Sequence, residues 1–372
     1  MRKQHVPVGV LVMRVGIVTK WFASGQAVVS RYVRSALDEL GHETFILARE
    51  GTGPRSGIEN RVPDPIWDQP GVTETGESDV PLETYREWVE ANSLDVVMTD
   101  NLYQFDELAA LRADGVKTIG RFVWEHFDDE HVEGAKKALD VVYSLHRGEQ
   151  ARYAEMGIDS PYLVWGCHPE LVAVEPAQSD AGLVRLLVPG SFMGRRKPLD
   201  EMLEAFMQTK DERLRLIIKG QTMRKENKLA KAADADSRIQ ILIEDQPTDQ
   251  HLSFVAGCDV CLSPTRWEGL GLPLYEAIAF GQPAITNDNA PMNEAVLDGV
   301  NGYLVSASVE GTARSGITSW SPDPGELAKA IDRIADDGTR AELAAGAREL
   351  RDGDRAWSKT VAGYDELLTS VA

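Results

Sequence analysis

The 372-residue sequence predicts an α/β protein made of two Rossmann-like domains, each a parallel sheet flanked by helices. Strand-like and helix-like segments alternate along the whole chain, which is typical of parallel α/β architecture. The alternation stops in an aperiodic stretch rich in proline, alanine and acidic residues, 167–182, and then starts again. A chain of this length is also too long for one ordinary hydrophobic core. We therefore place a linker between two domains in this stretch.

The first domain is predicted over residues 1–172. Its first strand is a short apolar run, and the helix after it has apolar residues at helical spacing until Gly41 ends it. A stretch rich in glycine, proline and acidic residues follows the second strand, and such a long loop is uncommon in a compact domain. In chain order the predicted elements are a strand at 15–19, a helix at 28–40, a strand at 44–48, a surface loop at 50–80 and strands at 94–98 and 118–124.

The second domain is predicted over residues 173–354, and a separate C-terminal helix over 355–372. Apolar runs and helical spacing recur here, and Trp357, Val361 and Tyr364 mark one apolar face of the last helix. In chain order the predicted elements are a strand at 185–189, a helix at 199–207, strands at 214–218, 239–243 and 260–263, a helix at 273–280 and a strand at 284–286.

The charge of the chain narrows the classes of partner. The formal net charge is −20, which disfavours nucleic acid, because binding it needs clustered lysine and arginine. The same charge disfavours electrostatic docking on anionic lipid. No run in the sequence approaches the roughly 18–20 apolar residues needed to span a bilayer, so we expect at most peripheral membrane contact. High-salt adaptation and plain solubility both fit this charge and stay open. The apolar run at 8–13 is interrupted by Arg14, so we expect a short tail there rather than a secretory signal.

The three cysteines, an odd number, predict no disulfide framework. Cys258 and Cys261 are expected in one buried strand, where positions three apart point to opposite faces. Two thiolates on opposite faces cannot share a metal ion. These features favour a reducing cytoplasm.

The most informative segment is 263–283, where a strand is followed by a glycine-rich loop and a helix. Gly269 and Gly271 allow the backbone to approach a ligand closely. Pro273 is predicted as the first helical residue, since proline lacks the N–H that would have no partner there. The amides of residues 270–272 would then lie at a helix N-terminus, which favours a bound anion such as a pyrophosphate.

Two glutamates flank this predicted anion site. Glu268 precedes the helix and Glu276 lies about one turn into it, so both carboxylates can face one bound molecule. Two carboxylates near a diphosphate are electrostatically unfavourable unless they accept hydrogen bonds from hydroxyl groups. Ribose and hexose units supply such hydroxyls.

The segment from Glu268 to Glu276 resembles the E-x7-E segment of glycosyltransferase family 4, a large family of retaining enzymes with the GT-B fold. The resemblance implies two domains that face each other across a cleft and a C-terminal helix that crosses back to the first domain. It also implies that Glu276 binds the ribose hydroxyls and that Glu268 contacts the transferred sugar. The amides of residues 270–272 match positions that meet the phosphates.

A basic segment follows the first strand of the second domain. Gly190 comes directly after the strand, and three adjacent cations follow at 195–197. Asp200 then opens a helix as its expected N-cap. The segment from Lys197 to Asp200 resembles the K-G-x-D segment of the family. The resemblance implies that this lysine and one of the two arginines before it neutralise the leaving diphosphate, and it leaves open which arginine does so.

The first domain adds two candidates. Gly25 follows the first strand and lies 16 positions before Gly41, a spacing that resembles the glycine loop of the family near the donor phosphates. His126 matches a histidine that family members often carry at a strand end facing the cleft. A scaffold glycine and a hydrogen-bonded core histidine are the alternatives for these two residues.

These patterns together define a predicted site without a metal ion. Asp234 and Asp236 form a D-x-D pair in a polar helical stretch, which is not typical of a metal site, so we expect no cofactor besides the sugar donor as co-substrate. The candidate catalytic residues are Glu268, Lys197, Arg196 and His126. The candidate donor-binding residues are Gly25, Gly190, Arg195, Arg196, Lys197, Glu268, Gly269, Leu270, Gly271, Leu272 and Glu276.

The expected activity is transfer of a hexosyl group from a UDP- or GDP-sugar, with retention of configuration, to a hydroxyl of a carbohydrate, a glycolipid or a small molecule. Two alternatives stay open: a catalytically inactive partner subunit that binds nucleotide sugar, and a GT-B sugar-nucleotide epimerase. A dehydrogenase is disfavoured, because no G-x-G-x-x-G follows the first strand. The oligomeric state is not predicted.

Overall fold

The chain divides into two compact units. The computed structural model describes residues 12–51, 62–180, 182–190, 192–223 and 226–372. Residues 1–11 of the predicted tail, and 52–61 of the predicted loop, lie outside the described residues. The first unit comprises Met1–Leu145, Glu149–Val164 and Thr360–Ala372, and the second comprises His146–Gly148 and Trp165–Lys359. The domain boundaries expected at residues 172 and 354 stay predictions.

Strands and helices alternate through the first half of the chain. The central strands are buried, β4 at every residue and β1 at all but its first, as expected when helices cover both faces of a parallel sheet. The elements are β1 Arg14–Thr19, α1 Gly25–Glu39, β2 Glu43–Ala48, β3 Val72–Glu74, α2 Leu82–Asn92, β4 Val96–Asp100, α3 Phe105–Ala113, β5 Lys117–Arg121, α4 Asp129–Ala138, β6 Val141–Val142 and α5 Arg147–Glu155.

The sheet of the first unit has the order β3-β2-β1-β4-β5-β6, and every pairing in it is parallel. The order changes direction between β1 and β4, which creates a topological switch point at the carboxyl ends of these strands. The prediction of one surface loop over 50–80 was wrong in part, because β3 and the 3-10 turn Pro65–Trp67 lie within it. A three-residue edge strand is too short to show a period-two pattern.

The last residues of the chain pack in the first unit. Tyr364 is fully buried there, and its ring meets that of Tyr143 edge-on, with centroids 5.8 Å apart. The hydroxyl of Thr360 donates to the carbonyl oxygen of Val164 at 2.9 Å. Of the apolar face predicted for the C-terminal helix, Tyr364 is therefore buried within the first unit, Val361 is partly buried there, and Trp357 belongs to the second unit.

The second half of the chain repeats the same alternation. Every strand and helix predicted for the second domain is present, with boundaries shifted by a few residues at most. The last helix of the chain belongs to the first unit from Thr360 onward. The elements are α6 Pro169–Val172, β7 Val184–Pro189, β8 Phe192–Met193, α7 Leu199–Gln208, β9 Leu214–Gly220, β10 Thr222–Met223, α8 Glu226–Ala235, β11 Ile239–Ile243, α9 Thr248–Ala256, β12 Val260–Leu262, α10 Leu272–Phe280, β13 Ala284–Asn287, α11 Met292–Ala295, β14 Gly302–Val305, β15 Ala307–Thr312, β16 Thr318–Pro322, α12 Pro324–Ile334, α13 Asp337–Asp352 and α14 Trp357–Thr369.

The main sheet of the second unit has the order β11-β9-β7-β12-β13-β14, again with parallel pairing throughout. Its core lies between this sheet and the apolar faces of α7 and α12, where Phe206, Leu327 and Ile331 are fully buried. A switch point lies between β7 and β12. The antiparallel hairpin β15–β16, which the sequence analysis did not predict, follows the last strand of the sheet.

Candidate active site

The N-terminus of α10 has no side-chain cap. The helix begins at Leu272, one residue before the predicted Pro273, because Gly271 is the N-cap and has a φ of 83°. This left-handed backbone conformation is accessible to glycine without strain. Pro273 has no N–H, and the Leu274 N–H donates to the carbonyl oxygen of Gly271 at 2.9 Å. The amides at 270–272 are therefore the candidates for an anion, which the helix dipole favours.

The loop before α10 is held by side chains of the neighbouring strand β13. The hydroxyl of Thr286 donates to the carbonyl oxygen of Ser263 at 2.8 Å. The side-chain amide of Asn287 donates to the carbonyl oxygen of Thr265 at 2.9 Å. All four residues are buried. These two bonds attach the start of the loop to the sheet and thereby position Glu268.

Glu268 lies between two cations of the basic segment. The Lys197 Nζ is 3.2 Å from Oε1 of Glu268, and the Arg196 Nη1 is 3.1 Å from Oε2. The Lys197 and Glu268 side chains are only 2% and 7% exposed, whereas Arg196 is 31% exposed. Three predicted site residues thus form one cluster, which we call the Lys197–Glu268–Arg196 cluster.

The two cations change the protonation behaviour of Glu268. Burial alone would raise the pKa of this carboxyl, but the charges of Arg196 and Lys197 outweigh burial and hold the pKa below its usual value. Burial lowers the pKa of Lys197, and the attraction of Glu268 only partly offsets this effect. The carboxylate is therefore ionised at neutral pH and is neutralised by its two partners.

Arg266 fastens the basic segment to the loop before α10. Its backbone N–H donates to the carbonyl oxygen of Arg196 at 3.0 Å, and its Nε donates to that of Arg195 at 3.1 Å. Its guanidinium also pairs with Glu201 at 2.6 Å and with Glu310 at 2.5 Å. Glu201 belongs to α7 and Glu310 to the β15–β16 hairpin, so one arginine joins four segments. The sequence analysis did not single out Arg266, since its partners are distant in the chain.

The structure separates the two arginines that the sequence left open. The Arg196 guanidinium reaches Glu268, whereas the Arg195 side chain is exposed. Gly190 lies half-buried directly after β7. The expectation that Asp200 is an N-cap was wrong: α7 begins at Leu199, with Pro198 as its N-cap. Asp200 lies instead in the first turn, where its charge still complements the helix dipole.

Glu276 lies within α10, partly buried, and burial raises its pKa to about 7. Burial raises the pKa of the Cys261 thiol. The charges of Glu276 and Glu268 raise this pKa further, and the charge of Lys197 lowers it. That thiol lies 3.7 Å from the carbonyl oxygen of Pro273 in the first turn of the helix. The first turn of α10, Glu276 and the Lys197–Glu268–Arg196 cluster thus surround one buried cysteine. Gly269 and Leu270 are buried beside Glu268 in the same loop.

The two neighbouring cysteines do not share a strand. Cys258 lies in the turn before β12 and donates to the carbonyl oxygen of Phe254 at 3.5 Å, whereas Cys261 lies within the strand. The expectation that both occupy the strand was therefore wrong, because β12 is only three residues long. Burial raises the pKa of Cys258 to about 11 and that of Cys261 to about 12, so both thiols are protonated at neutral pH.

Gly25 and His126 belong to the first unit. Gly25 is exposed at the start of α1, where the Ser24 side chain accepts a hydrogen bond from the Ala27 N–H. His126 lies in a turn beyond the end of β5, which is at Arg121 rather than at residue 124. Its imidazole is 56% exposed, with Nε2 3.7 Å from Glu125. This exposure does not fit the alternative of a core histidine.

Two searches of the described residues gave no candidates. No group of three or more histidine, cysteine, aspartate or glutamate side chains in the described ranges is placed to hold a metal ion. Within the same ranges, the helices lack the length and apolar character that a membrane span requires.

The two parallel sheets and their flanking helices have the two-domain GT-B architecture. The structure is similar to that of sucrose-phosphate synthase from Thermosynechococcus elongatus, with a TM-score of 0.74, 17% identity, and coverage of 96% of this chain and 98% of that chain. It is also similar to that of Anabaena HepE in complex with UDP-glucose, with a TM-score of 0.71, 14% identity, and coverage of 96% and 100%. These neighbours define the fold as GT-B.

The second unit is similar to a known protein family. Residues 186–349 match the family model of the group 1 glycosyl transferases. The chain is also 32% identical to D-inositol 3-phosphate glycosyltransferase from Acidothermus cellulolyticus over 107 residues, which are 29% of this chain. The matches cover only 13% and 21% of the length of two curated relatives.

Proposed function

We propose that this protein transfers a glycosyl group from a nucleotide-diphosphate sugar to an acceptor hydroxyl. The observation that carries the proposal is that the uncapped N-terminus of α10 lies beside Glu276 and the Lys197–Glu268–Arg196 cluster. The match of residues 186–349 to the group 1 glycosyl transferases supports it. The UDP-glucose bound by the structurally similar HepE is consistent with a sugar nucleotide as donor.

In this proposal, each group has a distinct task. The amides of residues 270–272 bind the diphosphate. Lys197 and Arg196 stabilise the negative charge that develops on the leaving phosphate as the bond between sugar and phosphate breaks. Glu276 accepts hydrogen bonds from the ribose hydroxyls, and Glu268 faces the transferred sugar.

We further propose membership in glycosyltransferase family 4, retention of anomeric configuration, and a UDP- or GDP-sugar as donor. The acceptor hydroxyl would attack on the face from which the phosphate leaves, and no side chain is assigned as a nucleophile. Because two cations and a helix N-terminus supply positive charge, we propose that the reaction needs no metal ion. The three cysteines are free buried thiols, which suits a reducing cytoplasm.

A panel of UDP-, GDP- and ADP-sugars tests this function. Binding is measured by thermal shift, and slow donor hydrolysis by release of nucleotide, each with and without EDTA. We expect one donor to bind and to be hydrolysed at the same rate in EDTA. Binding without hydrolysis or transfer to any acceptor would support the inactive partner subunit instead. An epimerised donor would identify an epimerase, and loss of turnover in EDTA would contradict metal-independent catalysis.

A further inference from the structure

The carboxyl ends of β1 and β2 place two cations side by side in the first unit. The strands pair in parallel with Thr19 opposite Ala48, and the N–H of Arg49 donates to the carbonyl oxygen of Thr19 at 2.9 Å. Lys20 and Arg49 follow these paired residues at the same edge of the sheet. Lys20 follows β1, which borders the switch point between β1 and β4 where open α/β sheets bind ligands, and Arg49 follows the next strand of the sheet.

Neither of these cations has a counter-ion of its own. Both are half-buried, and neither forms an ion pair within the described part of the chain. The Arg49 Nη2 donates to the carbonyl oxygen of Asn101 at 3.1 Å, but its Nε is buried without a hydrogen-bond partner. Burial, and next the charge of Arg49, lower the pKa of Lys20 by more than Asp100 raises it.

The Asp100 carboxylate, whose charge acts on both cations, already has a partner, and the charge of Asp79 acts more weakly on Arg49. Asp100, at the end of β4, lies 3.2 Å from the guanidinium of Arg121, which is also 3.4 Å from Glu149. These three side chains are buried. Two carboxylates thus pair with one buried arginine. The charge of Asp100 also acts on Lys20 and Arg49, but from beyond ion-pair distance.

The first turn of α1 adds further positive potential at this edge. The helix follows β1 and begins at Gly25, and its first turn carries no acidic residue, so its dipole is not offset there. The side chain of Gln26 donates to the carbonyl oxygen of Asp100, which fixes this turn against the end of β4. Two adjacent, partly desolvated cations repel each other unless an anion lies between them.

We propose that this edge, formed by Lys20, Arg49 and the first turn of α1, binds an anionic group of the acceptor. The group is a phosphate monoester or a carboxylate, which can accept charge-assisted hydrogen bonds from both side chains. The assignment to the acceptor rests on the proposed glycosyl transfer, in which the groups assigned to the donor, apart from the predicted Gly25 at the start of α1, lie in the second unit. Anion binding itself does not depend on that function.

Calorimetric titration with inorganic phosphate and with acetate tests anion binding without any activity. We expect Lys20→Met and Arg49→Gln each to weaken binding of the preferred anion by about tenfold or more, the range typical of a hydrogen bond to a charged group. Lys20→Arg keeps the charge and should bind within about threefold of the unchanged protein. Lys136→Met, on exposed α4 of the same unit, is the control and should bind normally.

The control variants separate charge from folding and this edge from the donor site. Lys197→Ala changes the second unit and should still bind the anion at the edge formed by Lys20 and Arg49. Lys20→Met should not bind it there. Absence of phosphate and acetate binding in the unchanged protein would overturn the proposal. So would equal binding by Lys20→Met and Lys136→Met, or loss of binding in Lys20→Arg as complete as in Lys20→Met.

Acceptor pairs then test the link to catalysis. Transfer to glucose is compared with transfer to glucose 6-phosphate and to glucuronate, with donor hydrolysis as the internal reference for an intact donor site. We expect kcat/KM to be at least about tenfold higher for one anionic member, and Lys20→Met to remove that advantage when each transfer rate is divided by the variant's own rate of donor hydrolysis. Equal use of neutral and anionic acceptors would refute the acceptor role. Absence of hydrolysis would instead refute the proposed function and leave the titration result standing.

Discussion

Lys197 and Glu268 neutralise each other in the site, so a diphosphate would enter a cluster whose charges are already paired. Glu268 holds Lys197 and Arg196 in place through bonds of 3.2 and 3.1 Å. Cations held in advance cost little reorganisation when charge develops in a transition state. The same pairing opposes the effect of burial, which lowers the pKa of Lys197.

Replacing Lys197 tests this charge stabilisation. We expect Lys197→Ala to lower kcat by roughly 100-fold, because removal of one preorganised donor typically has an effect of that size. Lys329→Ala, an exposed lysine on α12, is the matched control and should keep full activity. Measurement of donor hydrolysis with both variants decides the matter, and a kcat near that of the unchanged protein would exclude Lys197 from the reaction.

Glu276 makes the stability of the protein depend on pH. Its pKa of about 7 in the folded chain lies above the usual 4.5, so the folded state holds this proton more tightly than the unfolded state. The contribution of Glu276 to the free energy of unfolding is thus fully present below pH 4.5. This contribution is lost as the pH rises through about 7. Glu276→Gln should therefore be more stable than the unchanged protein at pH 8, by at most roughly 3 kcal/mol. Urea unfolding at pH 5 and pH 8 measures this, and a stability difference that is the same at both pH values would contradict it.

The role of Glu276 toward ribose makes a separate prediction. Glu276→Gln should weaken binding of free UDP or GDP by about tenfold or more, since a charged acceptor of hydrogen bonds is lost. Isothermal titration with the nucleotide, and with inorganic phosphate as a control that lacks ribose, distinguishes this role from a general effect on the site. Unchanged nucleotide affinity would remove Glu276 from the proposed ribose contact.

At the scale of elements, the turn into α10 depends on one glycine. Gly271 has a φ of 83°, a conformation that costs other residues about 1–2 kcal/mol. Gly299, in the same unit, has a φ of 71° and has nothing within 4 Å of where a Cβ would lie. We expect Gly271→Ala and Gly299→Ala to lower stability similarly, but only Gly271→Ala to weaken nucleotide binding. Thermal unfolding with and without nucleotide checks this, and equal nucleotide affinity in both variants would show that the turn does not touch the ligand.

Helices and strands were predictable where apolar residues repeat over a long stretch of sequence. They were not predictable where the stretch is short. The long runs behind β7, β9 and α7 were recognised from sequence, because their apolar residues repeat over several positions. The edge strand β3 and the hairpin β15–β16 were missed, since both lie largely on the surface and carry few apolar residues. The hairpin nevertheless reaches the site, because Glu310 pairs with Arg266.

At the scale of the whole molecule, the final residues of the chain stabilise the first unit. Tyr364 is fully buried against Tyr143, so Tyr364→Ala should lower the free energy of unfolding of that unit by about 3–5 kcal/mol. Hydrogen exchange should then rise in β5 and β6 while nucleotide affinity in the second unit stays the same. Tyr364→Phe keeps the ring and is the control, with a much smaller effect. Exchange in β5 and β6 that is as slow in Tyr364→Ala as in Tyr364→Phe would contradict this role of the C-terminal residues.

The sequence by itself determined the parallel α/β architecture and the segment from Glu268 to Glu276, because both depend on patterns within short stretches of chain. Only the tertiary structure decided that Arg196 rather than Arg195 meets Glu268, 72 positions away, and that Arg266 joins these segments. It also placed Lys20 beside Arg49, which depends on the register of two strands. Such pairings arise from packing between distant parts of the chain, and local periodicity contains no information about them.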